Sequence, residues 1–195
     1  MGLTQTVGPD VEPVSLADAK SHMRVTTTDE NDLITALIVA ARFHIEAATG
    51  RQMITASWEW SLPCFPSHDT FAVPLPPLQS VTHIKYTDSN GDEQTLADTV
   101  YDVDIVSRRG RIGLAYGQSW PSIRNDMNAV RITFVAGYGD AASDIPANLI
   151  HAHKLLIEHL DRFRGVVAEG RRVTSVPTGL ANLIHPFINS EQFNE

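Results

Sequence analysis

Asp29-Glu30-Asn31-Asp32-Leu33-Ile34-Thr35-Ala36-Leu37-Ile38-Val39-Ala40-Ala41-Arg42-Phe43-His44-Ile45-Glu46-Ala47-Ala48-Thr49-Gly50 carries one dominant period. Ile34, Leu37, Ile38, Ala41, Ile45 and Ala48 recur at the three- and four-residue steps that stack side chains on one face of an α-helix. Asp29 stands where a helix takes its N-terminal cap. Glu30 and Asp32 set negative charge against the positive end of the helix dipole, and Gly50 stands where a left-handed C-terminal cap belongs. A helix with such a stripe must lie against other elements to keep it dry.

Upstream, Ser15-Leu16-Ala17-Asp18 resembles a capping box and predicts a short helix to about Arg24, broken by the β-branched run Thr26-Thr27-Thr28. Downstream of Arg51 the period falls to two. Ile54, Ala56, Trp58, Trp60 and Leu62 alternate with polar residues as in a half-buried strand. A passage with Pro63, Pro66, Pro74, Pro76 and Pro77 is too stiff and donor-poor for a central strand. Val81, Ile84 and Tyr86 lead to Asn90-Gly91, a pair suited to a tight hairpin turn. Tyr101, Val103 and Ile105, then Ile112-Gly113-Leu114, then Val130, Ile132 and Phe134 complete the strands. Helix returns after Pro146, with Leu149, Ala152, Leu156, Leu160 and Phe163 on one face. A last apolar cluster, Leu180, Leu183, Ile184 and Phe187, surrounds Pro186.

This order predicts an α+β fold: a small helical bundle, built from N-terminal helices plus a C-terminal helix, with an antiparallel β-rich insertion. Residues 1–50 form the N-terminal helical part, 51–137 the insertion, and 144–195 the C-terminal helix and extended tail, within one compact domain.

The 195 residues hold 15 basic and 23 acidic side chains, a formal net of −8, which disfavours coating of nucleic acid by phosphate neutralisation. The charge is uneven: residues 1–107 carry 15 acids and 5 bases, residues 108–195 carry 8 acids and 10 bases. Such asymmetry suits head-to-tail packing of copies, although a solvated surface can sort in the same way. The single cysteine, Cys64, excludes an internal disulfide framework. The start of the chain has no signal-peptide pattern and no 18-residue apolar run exists, so a soluble protein made in a reducing cytoplasm, with no membrane partner, is expected.

Chemistry-bearing patterns are sparse. Gly117-Gln118-Ser119-Trp120-Pro121 lacks the second glycine of a nucleophile elbow, and no phosphate loop is present. His151, His153 and His159 fall in one helix, but the two-residue step from His151 to His153 puts them on opposite sides, wrong for shared metal ligation. A packed or interface role suits His153 better. Asp102 and Asp104 read as the wet side of a strand whose other side holds Tyr101, Val103 and Ile105. Arginines cluster at Arg108, Arg109 and Arg111, and again at Arg162, Arg164, Arg171 and Arg172, where they suit an acidic partner surface or phosphate. Neither a catalytic residue, a metal site nor a cofactor is predicted.

The order of motifs resembles the head–tail connector, or adaptor, proteins of long-tailed bacteriophages and phage-derived particles. The likeness runs through Val14-Ser15-Leu16-Ala17-Asp18-Ala19-Lys20-Ser21-His22-Met23-Arg24-Val25 and Asp29-Glu30-Asn31-Asp32-Leu33-Ile34. It continues in Leu75-Pro76-Pro77-Leu78-Gln79-Ser80-Val81, Ile84-Lys85-Tyr86 and Asn90-Gly91, resumes in Val135-Ala136-Gly137-Tyr138-Gly139 and Ile145-Pro146, and ends in Leu183-Ile184-His185-Pro186-Phe187. The segment Leu160-Asp161-Arg162-Phe163-Arg164 and the loop through Arg172 depart from the family pattern.

The resemblance implies a non-enzymatic structural protein of the virion, made in the bacterial host cytoplasm and placed at the head–tail interface. It implies a homo-oligomeric ring, commonly of about twelve copies, beneath the portal protein, extending the channel through which double-stranded DNA passes without sequence recognition. The other face meets the next connector (stopper) or a tail-terminator protein. The expected portal-binding residues are Arg171, Arg172, Leu180, Leu183, Ile184 and Phe187, the apolar ones forming an exposed patch or loosely docked tail in a free copy; the alternative is that this cluster packs on the chain's own core, as chain ends often do. Asp102, Asp104, Arg108, Arg109 and Arg111 are expected at a subunit interface or the channel. Competing expectations are a tail-completion or tail-terminator ring protein, a small hydrolase using the helix histidines and, third, a soluble monomeric binding module.

Overall fold

The computed structural model describes residues 2–163 and 178–188. Where one compact domain is expected, the contacts gather into two units. One comprises the residues up to Pro9 with Thr55–Tyr138, the other Asp10–Ile54 with the residues from Gly139 onward. The chain crosses between them at Pro9/Asp10, Ile54/Thr55 and Tyr138/Gly139. The mixed α+β class and its antiparallel sheets are as the sequence predicts.

The helical unit contains α1 (Leu16–Met23), α2 (Asn31–Thr49), α3 (Ala147–Arg162) and α4 (Thr178–Ile184). Ser15 caps α1: its Oγ accepts from the Asp18 amide at 3.1 Å, and its hydroxyl donates to the Asp18 carboxylate at 2.8 Å. α2 starts one residue later than Asp29 as its cap predicts. Its N-cap is Glu30, whose side chain makes no capping bond. Gly50 ends α2 at φ 64°, as expected of a left-handed cap. Ile34, Ile38, Ala41 and Ile45 are buried, together with Leu149, Ala152, Leu156 and Ile157 of α3. Leu37 is only half-buried, and Ala48 and Phe163 lie exposed at the ends of their predicted stripes.

The β unit holds β1 (Gly2–Val7), β2 (Ala56–Leu62), β3 (Thr70–Ala72), β4 (Leu78–Thr87), β5 (Glu93–Thr95), β6 (Tyr101–Asp104), β7 (Arg111–Leu114) and β8 (Val130–Ala136). One antiparallel sheet runs β1-β2-β8-β4-β5, with Trp58 opposite Phe134 and Ile84 opposite Ile132; a second runs β3-β7-β6. Ile84, Ile112, Val130, Ile132 and Phe134 form the centre of its core. Trp120 stacks on Phe65, rings parallel at 4.8 Å, and lies 5.9 Å from Phe71, which pins the long connection between β7 and β8 to the core.

β1 corrects the expectation that residues 1–50 are helical. It adds to the edge of the β unit by pairing with β2 and is exposed along most of its length, so no burial alternation betrays it. The Asn90-Gly91 turn is present, with Gly91 at φ 98°, and Asp88 organises it: one carboxylate oxygen accepts from the amides of Asn90, Gly91 and Asp92 at 2.9–3.1 Å. At Gly110, the turn into β7, any Cβ would collide with the Leu78 side chain.

Candidate functional site

Five of the residues singled out in the sequence, Asp102, Asp104, Arg108, Arg109 and Arg111, lie on the β6–β7 hairpin. Its organiser is Asp104. One carboxylate oxygen accepts from the amides of Val106 and Ser107, both at 3.0 Å. The other accepts from the Ser107 hydroxyl at 2.6 Å and from Arg111 at 2.7 and 3.1 Å. Ser107, then Arg111, hold the Asp104 carboxyl well below the usual carboxylate range, because each bond exists only to the charged form. Asp102 is exposed.

The predicted alternation fails here. The strand stops at Asp104, whose side chain gathers the following amides, so Ile105 and Val106 turn outward, 52% and 92% exposed, and Val103 sits at the exposed margin. The tip presents a pair of exposed aliphatic side chains beside arginines, on a backbone turn that Asp104 organises.

The second predicted group divides. Leu180 and Ile184 of α4 are buried, packed in the helical unit, while Leu183 and Phe187 are half-buried. The exposed patch or loose tail expected of a free copy is therefore not what the structure contains at these positions: the Leu180 and Ile184 side chains complete the core. The Phe187 carbonyl accepts from Arg51 Nε at 2.7 Å, which fixes the turn after α4. Arg164, Arg171 and Arg172 lie outside the described residues.

The helix histidines do not converge. His153 is fully buried, with Nε2 2.9 Å from the Ile38 carbonyl. His151 is exposed, edge-on to His22 at 6.4 Å, and His159 lies against the Phe163 ring. His22 Nε2 approaches Glu158 to 3.2 Å, and Glu158 also pairs with Arg162 at 2.6 Å. Among the described residues, no three His, Cys, Asp or Glu side chains gather as a metal-binding group, and no helix is long and apolar enough to cross a membrane.

Sequence reasoning missed a buried polar network at the heart of the helical unit. Arg42 donates to both Glu12 oxygens at 2.8 and 3.2 Å and to Glu46 at 2.9 Å. The remaining Glu46 oxygen accepts from the Gln52 amide group at 2.8 Å and the Met53 backbone at 3.0 Å. Burial pushes the Glu46 carboxyl up, against the pull of Met53 N–H and Arg42. The signal was available: Arg42 and Glu46 are four apart and flank Ala41 and Ile45, which places them beside the buried stripe.

The Asp104 carboxylate and the Arg42–Glu46 network are spent on structure, and the described residues also offer two surfaces: a basic, aliphatic hairpin tip and the outer side of the helical unit. No curated protein matches the sequence significantly. Across 96% of this chain and 95% of the other, the fold matches a chain in the neck of an empty GTA particle computed with C6 symmetry, at TM-score 0.79 and 24% identity. With the same coverage and identity it matches chains in the virion of a native gene transfer agent particle, at TM-score 0.80, and in the neck of a native particle computed with C12 symmetry, at 0.73. Residues 13–107, spanning α1, α2 and the strands β2 to β6, match the model of the phage gp6-like head-tail connector proteins, the family that the order of sequence motifs resembles.

Proposed function

We propose that this chain is a structural head–tail connector of a phage or phage-derived particle, acting as identical copies in a ring beneath the portal. The ring extends the DNA channel and offers a platform to the next connector or to a tail terminator. The observation that carries this reading is the coincidence of two likenesses: the connector family pattern over residues 13–107 and a neck-protein fold over 96% of the chain. The necks to which those similar chains belong were computed with six- and twelvefold symmetry.

A ring of identical copies needs a heterologous interface, two different patches that complement one another. At a net −8 per copy, about a dozen copies bring roughly a hundred negative charges to the assembly, a field that repels DNA phosphate and favours transit over grip. The portal contact falls to Leu183 and Phe187 with the arginines at 171 and 172, since Leu180 and Ile184 are committed to the core.

The test is electron microscopy and native mass measurement of the full chain, alone and with portal protein. Closed rings that seat coaxially on portal are expected. A chain that stays monomeric under both conditions overturns the proposal, and a bore lined mainly by Arg and Lys refutes the repulsive channel.

A further inference from the structure

α2 is apolar on two sides. Its inner stripe builds the helical core, while its outer side presents Leu33, Ala36, Ala40, Phe43 and Ala47, at alternating steps of three and four residues, all exposed. Leu33 is 38% and Phe43 52% exposed. The charges that would ordinarily keep such a face wet are elsewhere. Arg42 and Glu46 are turned into the buried network, so Asp32 and His44 are the only exposed ionisable side chains of this 19-residue helix. A solvent-facing helix side normally carries charge, and a continuous apolar stripe without it marks a partner surface.

The β6–β7 hairpin has the opposite character. Its tip projects Ile105 and Val106, and the segment from Asp104 to Arg111 carries Arg108, Arg109 and Arg111 against a single acid. The N-terminal end of the α2 stripe is bounded by the exposed acids Asp29 and Asp32, with Glu30 between them. The two surfaces are complementary in charge, and both are apolar at their centres.

Resting on the ring reading above, we infer that the hairpin tip of one copy, Ile105-Val106 with its arginines, seats on the outer face of α2 of a second copy, over Leu33, Ala36 and Ala40. The two alanines leave room for the β-branched side chains, and the acidic end of the stripe meets the basic loop. The Asp104 hydrogen bonds hold the tip in shape before contact, so little ordering entropy is lost on docking. Each copy then offers one hairpin and one helix face, the pairing of unlike patches that a closed ring demands.

Two experiments on the full chain test this. In a Cys64→Ser background, Ala36→Cys and Val106→Cys are combined and mildly oxidised. A ladder of covalent oligomers is expected, and an intramolecular bond or none counts against the contact. Separately, Val106→Asp is compared with wild type by electron microscopy and native mass measurement. Because Val106 is 92% exposed, the variant should unfold at the wild-type temperature yet need at least about tenfold more protein to assemble. Arg108→Glu with Arg109→Glu should weaken assembly, and Asp29→Lys with Asp32→Lys should restore it. If wild type forms rings while Val106→Asp forms them equally well and no ladder appears, the interface is wrong and the ring reading stands. If Val106→Asp rings normally but loses portal, the hairpin serves portal and this inference falls. If wild type forms no ring even with portal, both readings fall together.

Discussion

His153 of α3, wholly buried, has its Nε2 2.9 Å from the backbone carbonyl of Ile38 in α2. A carbonyl can only accept, so Nε2 carries the proton, and Nδ1 has no partner among the described residues. Burial pushes the His153 pKa down, since a charged ring would have no water to solvate it. The neutral form belongs to the folded state and the protonated form to the unfolded one. The contribution of His153 is therefore fully present above the ordinary histidine value and is lost as pH falls from there toward the lowered folded value. Urea midpoints should drop between pH 7.5 and pH 5, and His153→Gln, which can still donate to Ile38, should flatten that slope. An equal slope in both proteins would contradict the assignment.

The network around Arg42 sets a second expectation. Glu46→Ala strands the Met53 amide and removes one of two carboxylates facing a buried guanidinium, so a loss of about 3 kcal/mol is expected in chemical unfolding. Glu12→Gln should cost less, because Glu12 is half-exposed and Arg42 keeps Glu46.

Asp104 acts locally. Asp104→Ala should leave the unfolding midpoint nearly unchanged while the amides of Val106 and Ser107 lose protection in hydrogen exchange. In wild type, the depressed pKa keeps the carboxylate ionised as pH falls through the usual aspartate range. Protection at those two amides should therefore persist at pH 3 and fail only in stronger acid.

The buried placement of α4 changes what a truncation means. Leu180→Ala should cost about 2–5 kcal/mol, the range for a fully buried leucine. Removing residues 178–195 should accordingly lower the melting temperature and loosen the helical unit, and the proposed docking on portal should be lost with it. The surface variants Leu183→Asp and Phe187→Asp address docking with a smaller loss of core. A truncated chain as stable as wild type would show that the core does not depend on α4.

The sequence was legible where the determining forces are local. The three- and four-residue steps in α2 and α3, the Ser15 cap, the Gly50 terminus and the Asn90-Gly91 turn depend on neighbours within a few positions, and each is present. Features fixed by distant partners were not. β1 holds its place through hydrogen bonds to a strand about fifty residues on, and its side chains carry no record of that pairing. The strand order β1-β2-β8-β4-β5 is likewise non-local. Among the site residues, the hairpin was found through its arginines, but the outward turn of Ile105 and Val106 was hidden, because alternation continues on paper past the point where Asp104 ends the strand. The buried Arg42–Glu46 pair is not legible from the helical period alone, since charged side chains beside an apolar stripe ordinarily face water.

The strand contributed by residues 2–7 has a practical consequence. Since the chain passes three times from one unit to the other, no contiguous stretch of the gene encodes either of them. A protease that nicks a single junction leaves both halves covalently tied, and two nicks still leave a tether. Expression of residues 55–138 alone yields a sheet stripped of its border strand, with the β2 edge open to mispairing.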